Sequence, residues 1–284
     1  MAQLVKMSAV VALVLVSAAC GRPQKDAGNA ITVKGSDTMV HLVADWAEAY
    51  MAAHPDAEVS VNGGGSGTGI KAFINGTTDI AAASRDMSAE ERAQAAKSGR
   101  EPKEIEVALD GIAVIVNPKN PIGELTLDQL KKIYTGAYTR WSDVGGSDET
   151  IGVLSRESSS GTYVFFQEHV LEKQDYAAHV RLMPATAGII QTVSEDLWAI
   201  GYVGLGYAAG AGDKVKVVKV KAKDDAPAVA PSEETVKSGE YSIARGLFLY
   251  VATDTSPVVQ RFIDFVLGEA GQEIVRKDDY ITVR

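Results

Sequence analysis

The chain has 284 residues, of which 46% are hydrophobic and 23% are charged, and its formal net charge is −9 at pH 7. This composition is typical of a globular protein with one large or two medium domains. The acidic balance makes the chain a poor candidate for sequence-independent binding of nucleic acid, which needs a basic surface. An anionic ligand would have to be bound by local dipoles and donors, against the repulsion of the whole chain.

The N-terminus has the pattern of an export signal. Lys6 precedes an apolar run at residues 7–16, which has the length of a signal-peptide core and is too short to span a bilayer. Small residues then lead to Cys20, the only cysteine, in a pattern similar to a bacterial lipobox. We predict a lipoprotein signal peptide at residues 1–19, a lipid anchor on Cys20 and a tether at residues 20–30. Soluble secretion without acylation is the alternative.

After the tether, short apolar runs alternate with amphipathic segments, a pattern typical of an α/β protein with largely parallel sheets. The predicted strands are residues 31–33, 59–61, 79–83, 111–117, 151–154, 200–203, 214–221 and 246–252. The predicted helices are residues 39–50, 70–74, 125–134, 163–171 and 257–267, and one more that follows a capping box at Ser88 and Glu91. Thr126 or Asp128 is expected to cap the helix at residues 125–134. Ser36 or Asp37 is expected to cap the first helix.

Three strand ends lead into loops that are rich in glycine and small hydroxyl residues, and each loop precedes a predicted helix. The loops are residues 35–39, 63–69 and 156–162. The N-terminus of a helix exposes unpaired N–H groups and a partial positive charge, and glycine lets the backbone approach an anion closely. Because ligands of open α/β sheets bind at the carboxyl ends of strands, three such loops in one cleft could surround a tetrahedral oxyanion.

Two arginines lie next to these strand ends. Arg156 directly follows a buried strand and precedes the third loop, which favours a bidentate contact with an oxyanion. Arg85 follows the strand that ends at Ser84 and is a second candidate. An ion pair between Arg85 and Asp86 or a nearby acid is the alternative for that residue.

Enzyme signatures fail in this sequence. The glycine-rich second loop resembles a P-loop, but Ile70 stands where a lysine is required. Ser66 does not lie in a Gly-x-Ser-x-Gly elbow, because Thr68 follows where the glycine should be. The four histidines, His41, His54, His169 and His179, do not form a metal-binding pair. We therefore predict no catalytic residue, no metal site and no cofactor.

Taken together, these motifs resemble the periplasmic phosphate-binding proteins of the phosphate ABC importer. The matching strings, in the order of that family, are GSDTM, NGGGSGTGI, ASRDM, DGIAVIVNPKNP, LTLDQLKKIYTG, RESSSGT and IGYVGLGY. The resemblance implies a two-lobed α/β fold of the type II periplasmic-binding-protein class, with the ligand between the lobes. Lobe 1 would contain residues 31–113 and 246–284, and lobe 2 residues 114–245, joined by crossing strands near residues 114–117 and 242–247.

The resemblance also implies which residues contact the ligand. Phosphate contacts are expected from Thr38, Met39 and, as an additional hydroxyl, Ser36 in the first loop, from Ser66 in the second, and from Arg156, Ser160, Gly161 and Thr162 in the third, with Arg85 as a further candidate. Many family members carry an aspartate after the third strand that accepts the phosphate proton. Here Arg85 stands at that position, so the acceptor is left open between Asp37 and Asp86.

The implied function is capture of inorganic phosphate by clamshell closure, followed by delivery to an ABC permease and its ATPase. The protein would be a monomer in the periplasm or cell envelope, held at the membrane by the lipid on Cys20, with no nucleic-acid partner. Two alternatives stay open: a binding protein for another tetrahedral oxyanion such as sulfate or molybdate, and an exported phosphatase.

Overall fold

The computed structural model describes residues 29–283. The predicted signal peptide, Cys20 and most of the predicted tether lie outside these residues, so cleavage and acylation stay predictions. Within the described residues, no helix is both long and apolar enough to cross a membrane.

The strands, numbered in chain order, alternate with the helices in most of the chain. They are β1 Ala30–Gly35, β2 Glu58–Asn62, β3 Ile80–Ala83, β4 Pro102–Val116, β5 Glu124–Thr126, β6 Gly152–Arg156, β7 Arg181–Met183, β8 Ala199–Gly204, β9 Lys216–Lys221 and β10 Ala244–Ala252. The α-helices are α1 Val40–Ala53, α2 Ser66–Ile74, α3 Ala89–Lys97, α4 Leu127–Tyr134, α5 Gly161–His169, α6 Thr186–Glu195, α7 Leu205–Ala211, α8 Glu233–Lys237, α9 Pro257–Leu267 and α10 Glu269–Lys277.

The strands lie in a mixed sheet whose order is β2-β1-β3-β10-β4-β8-β6-β7, with β9 paired to β4 and β5 paired to β9. In the first half, β1 runs parallel to β2 and β3, and β10 joins antiparallel to β3. In the second half, β6 runs parallel to β7 and β8. The α/β class predicted from the alternation of apolar and amphipathic segments is confirmed.

Strand β4 belongs to both halves of the sheet. Up to Gly111 it pairs antiparallel with β10, and from Ile112 it pairs with β8 and β9. At this change of partner, the Ile112 N–H donates to the carbonyl of Ile243 at 2.8 Å, immediately before β10 begins. The chain therefore crosses between the two halves at the middle of β4 and again at the start of β10.

Hydrophobic cores lie on both faces of each half-sheet, and we call each half with its helices the first lobe and the second lobe. In the first lobe, Trp46 and Phe262 pack on one face, and Phe73 packs on the other. In the second lobe, the rings of Phe166 and Tyr202 stack with centroids 3.9 Å apart. Each lobe thus has its own core, which allows the lobes to move as separate bodies.

The C-terminal segment reaches the core of the second lobe. Ile281 packs there, and the Leu109 N–H donates to its carbonyl at 2.8 Å. The sequence places residues 246–284 in lobe 1, so this segment extends beyond its predicted lobe. The predicted boundaries at residues 113/114 and 245/246 stay predictions.

The start of α1 differs from the sequence prediction. The helix begins at Val40, and neither Ser36 nor Asp37 caps it through a side chain. The Ser36 hydroxyl donates to the Ser84 hydroxyl at 2.9 Å, and an Asp37 carboxylate oxygen accepts the Gly64 N–H at 2.9 Å. Because both side chains bind neighbouring loops, the predicted cap is wrong.

Helix α2 also begins earlier than predicted, at Ser66 rather than Ile70. Glycines lower the intrinsic helix propensity of this segment, which shortened the prediction. The structure shows why glycine is present: a Cβ on Gly69 would lie 2.3 Å from the Lys34 carbonyl oxygen in β1. The absence of a side chain lets α2 lie directly against the strand.

Two predicted caps are confirmed. Ser88 and Glu91 form a capping box at the start of α3. Thr126 accepts a hydrogen bond from the Gln129 N–H and caps α4, while the first residues of that predicted helix belong to β5.

Candidate anion-binding site

The three loops singled out in the sequence meet between the two lobes. They follow β1, β2 and β6 and lead into α1, α2 and α5. Thr38 in the first loop and Thr162 at the start of α5 place their Oγ1 atoms 2.8 Å apart. The Gly67 N–H in α2 donates to the carbonyl of Ser159 in the third loop at 2.9 Å. Loops from both lobes therefore converge on one buried point.

Five buried side chains at this point form what we call the hydroxyl cluster: Ser36, Thr38, Ser66, Ser84 and Thr162. Besides its contact with Ser36, Ser84 accepts or donates a 3.3 Å hydrogen bond with Ser66, and its N–H donates to the Ser66 oxygen at 3.0 Å. Each hydroxyl can turn its hydrogen toward a neighbour or toward an anion. The sequence did not single out Ser84 as a contact, although it directly follows β3.

Gly161 lies against the hydroxyl cluster. A Cβ at this position would be 2.4 Å from the Ser66 Oγ and 2.8 Å from the Ser84 Oγ. The adjacent Ser160 hydroxyl accepts the Thr162 N–H at 3.2 Å and caps α5. Glycine is thus required for the N-terminus of α5 to approach the hydroxyls this closely.

Met39 contributes to the first loop through its backbone. Its side chain is buried in the core of the first lobe, and its N–H donates to the Ser36 carbonyl at 3.1 Å. The predicted contact of this residue with an anion therefore concerns its main chain.

Arg156 is buried between the lobes and donates four hydrogen bonds to the protein. Its Nη2 donates a hydrogen bond to the Asp37 carboxylate at 2.5 Å, and its Nη1 donates to the Thr186 hydroxyl at 2.6 Å. The carbonyls of Pro184 and Met183 accept the others at 2.8 and 3.2 Å. A guanidinium has five N–H groups, so a bidentate contact with an anion would require one of these partners to move.

Asp37, a candidate proton acceptor, lies in the cleft beside this arginine. One of its carboxylate oxygens pairs with Arg156 of the opposite lobe, and the other accepts the Gly64 N–H. The Tyr207 hydroxyl donates to the Asp37 carbonyl at 2.9 Å, again across the two lobes. Asp37 therefore links the first loop to both the second loop and the second lobe.

The structure does not bring Arg85 and Asp86 into the hydroxyl cluster. Arg85 forms a two-point ion pair with Glu91, with both N–O distances at 2.8 Å, which confirms the alternative of an ion pair with a nearby acid. The Asp86 side chain is exposed. Burial, followed by the charges of Glu104 and Asp86, raises the pKa of Glu106. The Asp86 carboxylate thus acts on this surface group.

Two charged residues that the sequence analysis missed lie beneath the cluster. Arg245 at the start of β10 and Asp110 in β4 form an ion pair at 2.8 Å, with side-chain exposures of 2% and 0%. Arg245 Nη1 donates to the Ser84 carbonyl at 2.7 Å, and Nη2 lies 3.1 Å from the Thr162 Oγ1 and 3.4 Å from the Thr38 Oγ1. The pair lies where the chain crosses between the lobes.

Burial opposes the charged form of both partners. Burial raises the pKa of Asp110, against the attraction of Arg245 and the Leu205 N–H, and burial lowers the pKa of Arg245. A signal was present in the sequence, because each residue is a single charge beside a glycine at the edge of a predicted apolar strand. Nothing in the sequence showed that these charges face one another.

The arrangement can hold a small anion without a net positive charge. Each buried arginine is neutralised by an aspartate, so attraction must come from hydroxyls, backbone N–H groups and helix N-termini. In residues 29–283, no three His, Cys, Asp or Glu side chains are grouped so that they could bind a metal ion. What the site offers a ligand is hydrogen-bond donors from hydroxyls and backbone N–H groups.

Comparisons with known proteins agree with this chemistry. A family model described as PBP superfamily domain matches residues 22–270. The phosphate-binding protein PstS of Staphylococcus haemolyticus is 38% identical over 245 residues, which are 84% of this chain and 77% of that protein. PstS of Pseudomonas aeruginosa is 33% identical over 271 residues, which are 89% of this chain and 83% of that protein.

Solved structures agree as well. A phosphate ABC transporter substrate-binding protein from Clostridium perfringens, described with bound phosphate, has a TM-score of 0.82 and 35% identity, over 90% of this chain and all of that one. An ABC-type phosphate transport receptor from Vibrio cholerae has a TM-score of 0.71 and 28% identity, over 89% of this chain and 99% of that one. The chain belongs to the PBP superfamily and, within it, to the family of phosphate-binding proteins PstS.

Proposed function

We propose that this protein captures inorganic phosphate between its two lobes and delivers it to an ABC importer. The observation that carries the proposal is the contact between Thr38 and Thr162, which brings hydroxyls from opposite lobes to 2.8 Å. A tetrahedral anion in this place would receive donors from both lobes at once. The PstS family and the named relatives, which are binding proteins rather than enzymes, support the same ligand.

Selectivity for phosphate requires an acceptor in the site. Near neutral pH phosphate still carries a proton, whereas sulfate carries none, so a buried acceptor gains a hydrogen bond from one and only repulsion from the other. Asp37 is the carboxylate that lies in the first loop, and Asp86 is exposed. Asp37 therefore serves as the acceptor in this proposal, with Arg156 holding its carboxylate in place.

Binding proceeds by closure of the lobes. Several interactions in the structure join the lobes: Arg156 to Asp37, Gly67 to Ser159 and Thr38 to Thr162. A ligand that contacts donors of both lobes binds the closed form better, so it shifts the population toward that form. The closed form is the one that the permease and its ATPase would receive.

The proposed location follows from the N-terminal pattern. Cleavage before Cys20 and acylation of its thiol would hold the protein at the cell envelope, and the residues up to β1 would serve as the tether. The protein would act there as a monomer. Mass spectrometry of the mature protein tests the anchor: the expected result is an N-terminal cysteine that carries lipid, and an unmodified N-terminus would contradict it.

Titration calorimetry with phosphate-stripped protein tests the function. We expect tight binding of phosphate and weak binding of sulfate and molybdate. Preference for sulfate or molybdate would favour the alternative of another oxyanion. Clean protein should also release no phosphate from phosphomonoesters, and turnover that tracks the purified protein would contradict the binding-protein assignment.

A further inference from the structure

Arg245 contacts the hydroxyl cluster from the start of β10. One nitrogen of its guanidinium, Nη2, lies within hydrogen-bond distance of Thr38 in the first lobe and Thr162 in the second. The other terminal nitrogen, Nη1, donates to the Ser84 carbonyl. A single side chain thus touches three members of the cluster, and it does so on β10, where the chain crosses between the lobes.

These contacts determine where the threonine hydrogens point. A hydroxyl has one hydrogen and two lone pairs, and a guanidinium can only donate. When Arg245 donates to a lone pair on Thr162 or Thr38, the hydrogen of that hydroxyl is left to donate elsewhere. One of the two hydroxyls donates to the other across their 2.8 Å contact, and because the guanidinium cannot accept, the remaining hydrogen of the pair points away from Arg245.

Asp110 holds the guanidinium in this orientation. One of its carboxylate oxygens accepts from Nη2 at 2.8 Å and from Nε at 3.2 Å, and the other accepts the Leu205 N–H at 2.9 Å. The ring of Phe165 lies 5.5 Å from the guanidinium carbon and covers one face. The side chain is therefore held by contacts with both lobes and has little freedom to rotate.

We propose that Arg245 is a positioning residue of the anion site and that Asp110 is the counter-charge that holds it. Arg245 directs the remaining hydroxyl hydrogen of the Thr38–Thr162 pair toward the anion, and it does so when the lobes are closed, because the two hydroxyls come from opposite lobes. This inference rests on the proposed phosphate-binding function. It adds a residue of the crossing strands to a site otherwise built from loops.

A double-mutant cycle tests the inference, with inorganic phosphate as the probe in calorimetry. Arg245→Lys keeps the charge and loses the fork that reaches the hydroxyls. We expect this change to raise the Kd about 10-fold, the effect of losing one well-oriented donor to an anion. In protein that carries Thr162→Val, the same change should raise the Kd no more than about 3-fold, because residues that act through one another are not additive.

Controls separate positioning from general stability. Arg100 offers a matched control, because it also donates to a backbone carbonyl, at 3.1 Å, and lies over a phenylalanine, at 4.6 Å. Arg100→Lys should leave the Kd unchanged. If Arg245→Lys does not fold, the neutral pair Asp110→Asn with Arg245→Gln leaves no buried charge unpaired and replaces it in the cycle.

The outcomes separate the inference from the function on which it rests. A parent protein that fails to bind phosphate overturns both. A parent that binds phosphate, together with an unchanged Kd in Arg245→Lys, overturns the inference alone. An undiminished 10-fold loss in the Thr162→Val background, as additivity would give, also overturns it, because Arg245 would then act independently of that hydroxyl.

Discussion

The side chains in the cleft are of two kinds: neutral hydroxyl donors, and arginines whose charge is balanced by an aspartate. Arg156 pairs with Asp37, and Arg245 pairs with Asp110 and also contacts the hydroxyl cluster. Breaking a buried ion pair leaves an uncompensated charge, so each aspartate also prevents its arginine from attracting any anion without discrimination. Selectivity then depends on which hydrogen bonds the ligand can complete.

Asp37→Asn should reduce the preference for phosphate over sulfate by at least about 10-fold. The amide replaces an acceptor of the phosphate proton, and the unpaired Arg156 becomes more attractive to sulfate. Calorimetry with both anions measures the ratio. Asp86→Asn is the control because its carboxylate is exposed, and equal ratios in the two variants would contradict the role of Asp37.

The raised pKa of Asp278 should make the stability of the fold depend on pH. Burial, together with the charge and hydrogen bond of Asp45, raises the pKa of Asp278 from 3.8 to about 6. Because the pKa is higher in the folded state, the stability from this group is complete below pH 3.8 and is lost as the pH rises through about 6. At a pH above about 6, Asp278→Asn should therefore raise the unfolding temperature, and near pH 4 it should have little effect.

Thermal unfolding at the two ends of this pH range measures the difference between parent and variant. Asp224→Asn removes an exposed carboxylate elsewhere on the surface and controls for the loss of one charge. The same gain at both pH values in Asp278→Asn would contradict the assignment.

Among the secondary-structure elements, α5 depends on a close approach to the hydroxyl cluster. It begins at Gly161, whose missing Cβ leaves room for the hydroxyls of Ser66 and Ser84. The helix thereby brings its unpaired N–H groups to the cluster from the second lobe. α2 approaches from the first lobe in a similar way, through Gly69 against β1.

Gly161→Ala should raise the Kd for phosphate at least about 10-fold, because an overlap of this kind costs about 1–3 kcal/mol or forces the loops apart. Gly210→Ala is a matched control within α7, where an added Cβ meets no atom within 4 Å. That variant should bind normally and unfold at the same or a slightly higher temperature. Normal binding by Gly161→Ala would show that the lobes adapt at this point.

At the scale of the whole molecule, the two lobes have separate cores and are joined by β4 and the start of β10. The contacts between the first loop and the third loop hold the lobes together in the closed arrangement. In the proposed cycle the site is completed only by closure, so ligand binding and domain movement would be one equilibrium.

Small-angle scattering should show a smaller radius of gyration when phosphate is added to stripped protein, and no change with sulfate. The double variant Thr38→Val with Thr162→Val should remain expanded at phosphate concentrations that close the parent, since it lacks a donor from each lobe. Identical radii for the parent with and without phosphate would contradict closure by the ligand.

The sequence predicted the elements and loops that depend on short windows. The capping box of Ser88 and Glu91, the cap at Thr126 and the strand–loop–helix order around the site follow from local hydrogen bonding and periodicity, and the structure confirms them. The cap by Ser36 or Asp37 was wrong because both side chains bind loops that are distant in sequence. The start of α2 was predicted too late because its glycines have low helix propensity, whereas in the structure they allow close packing against β1.

The sequence by itself determined the α/β class and the resemblance to phosphate-binding proteins, and it predicted the oxyanion chemistry of the loops. Only the tertiary structure decided the charge partners: Arg156 with Asp37, Arg85 with Glu91, and Arg245 with Asp110. Arg245 and Asp110 are 135 residues apart, and no local pattern encodes their contact. Propensities and caps act over a few neighbouring residues, whereas the partner of a buried charge is fixed by how distant strands pack together.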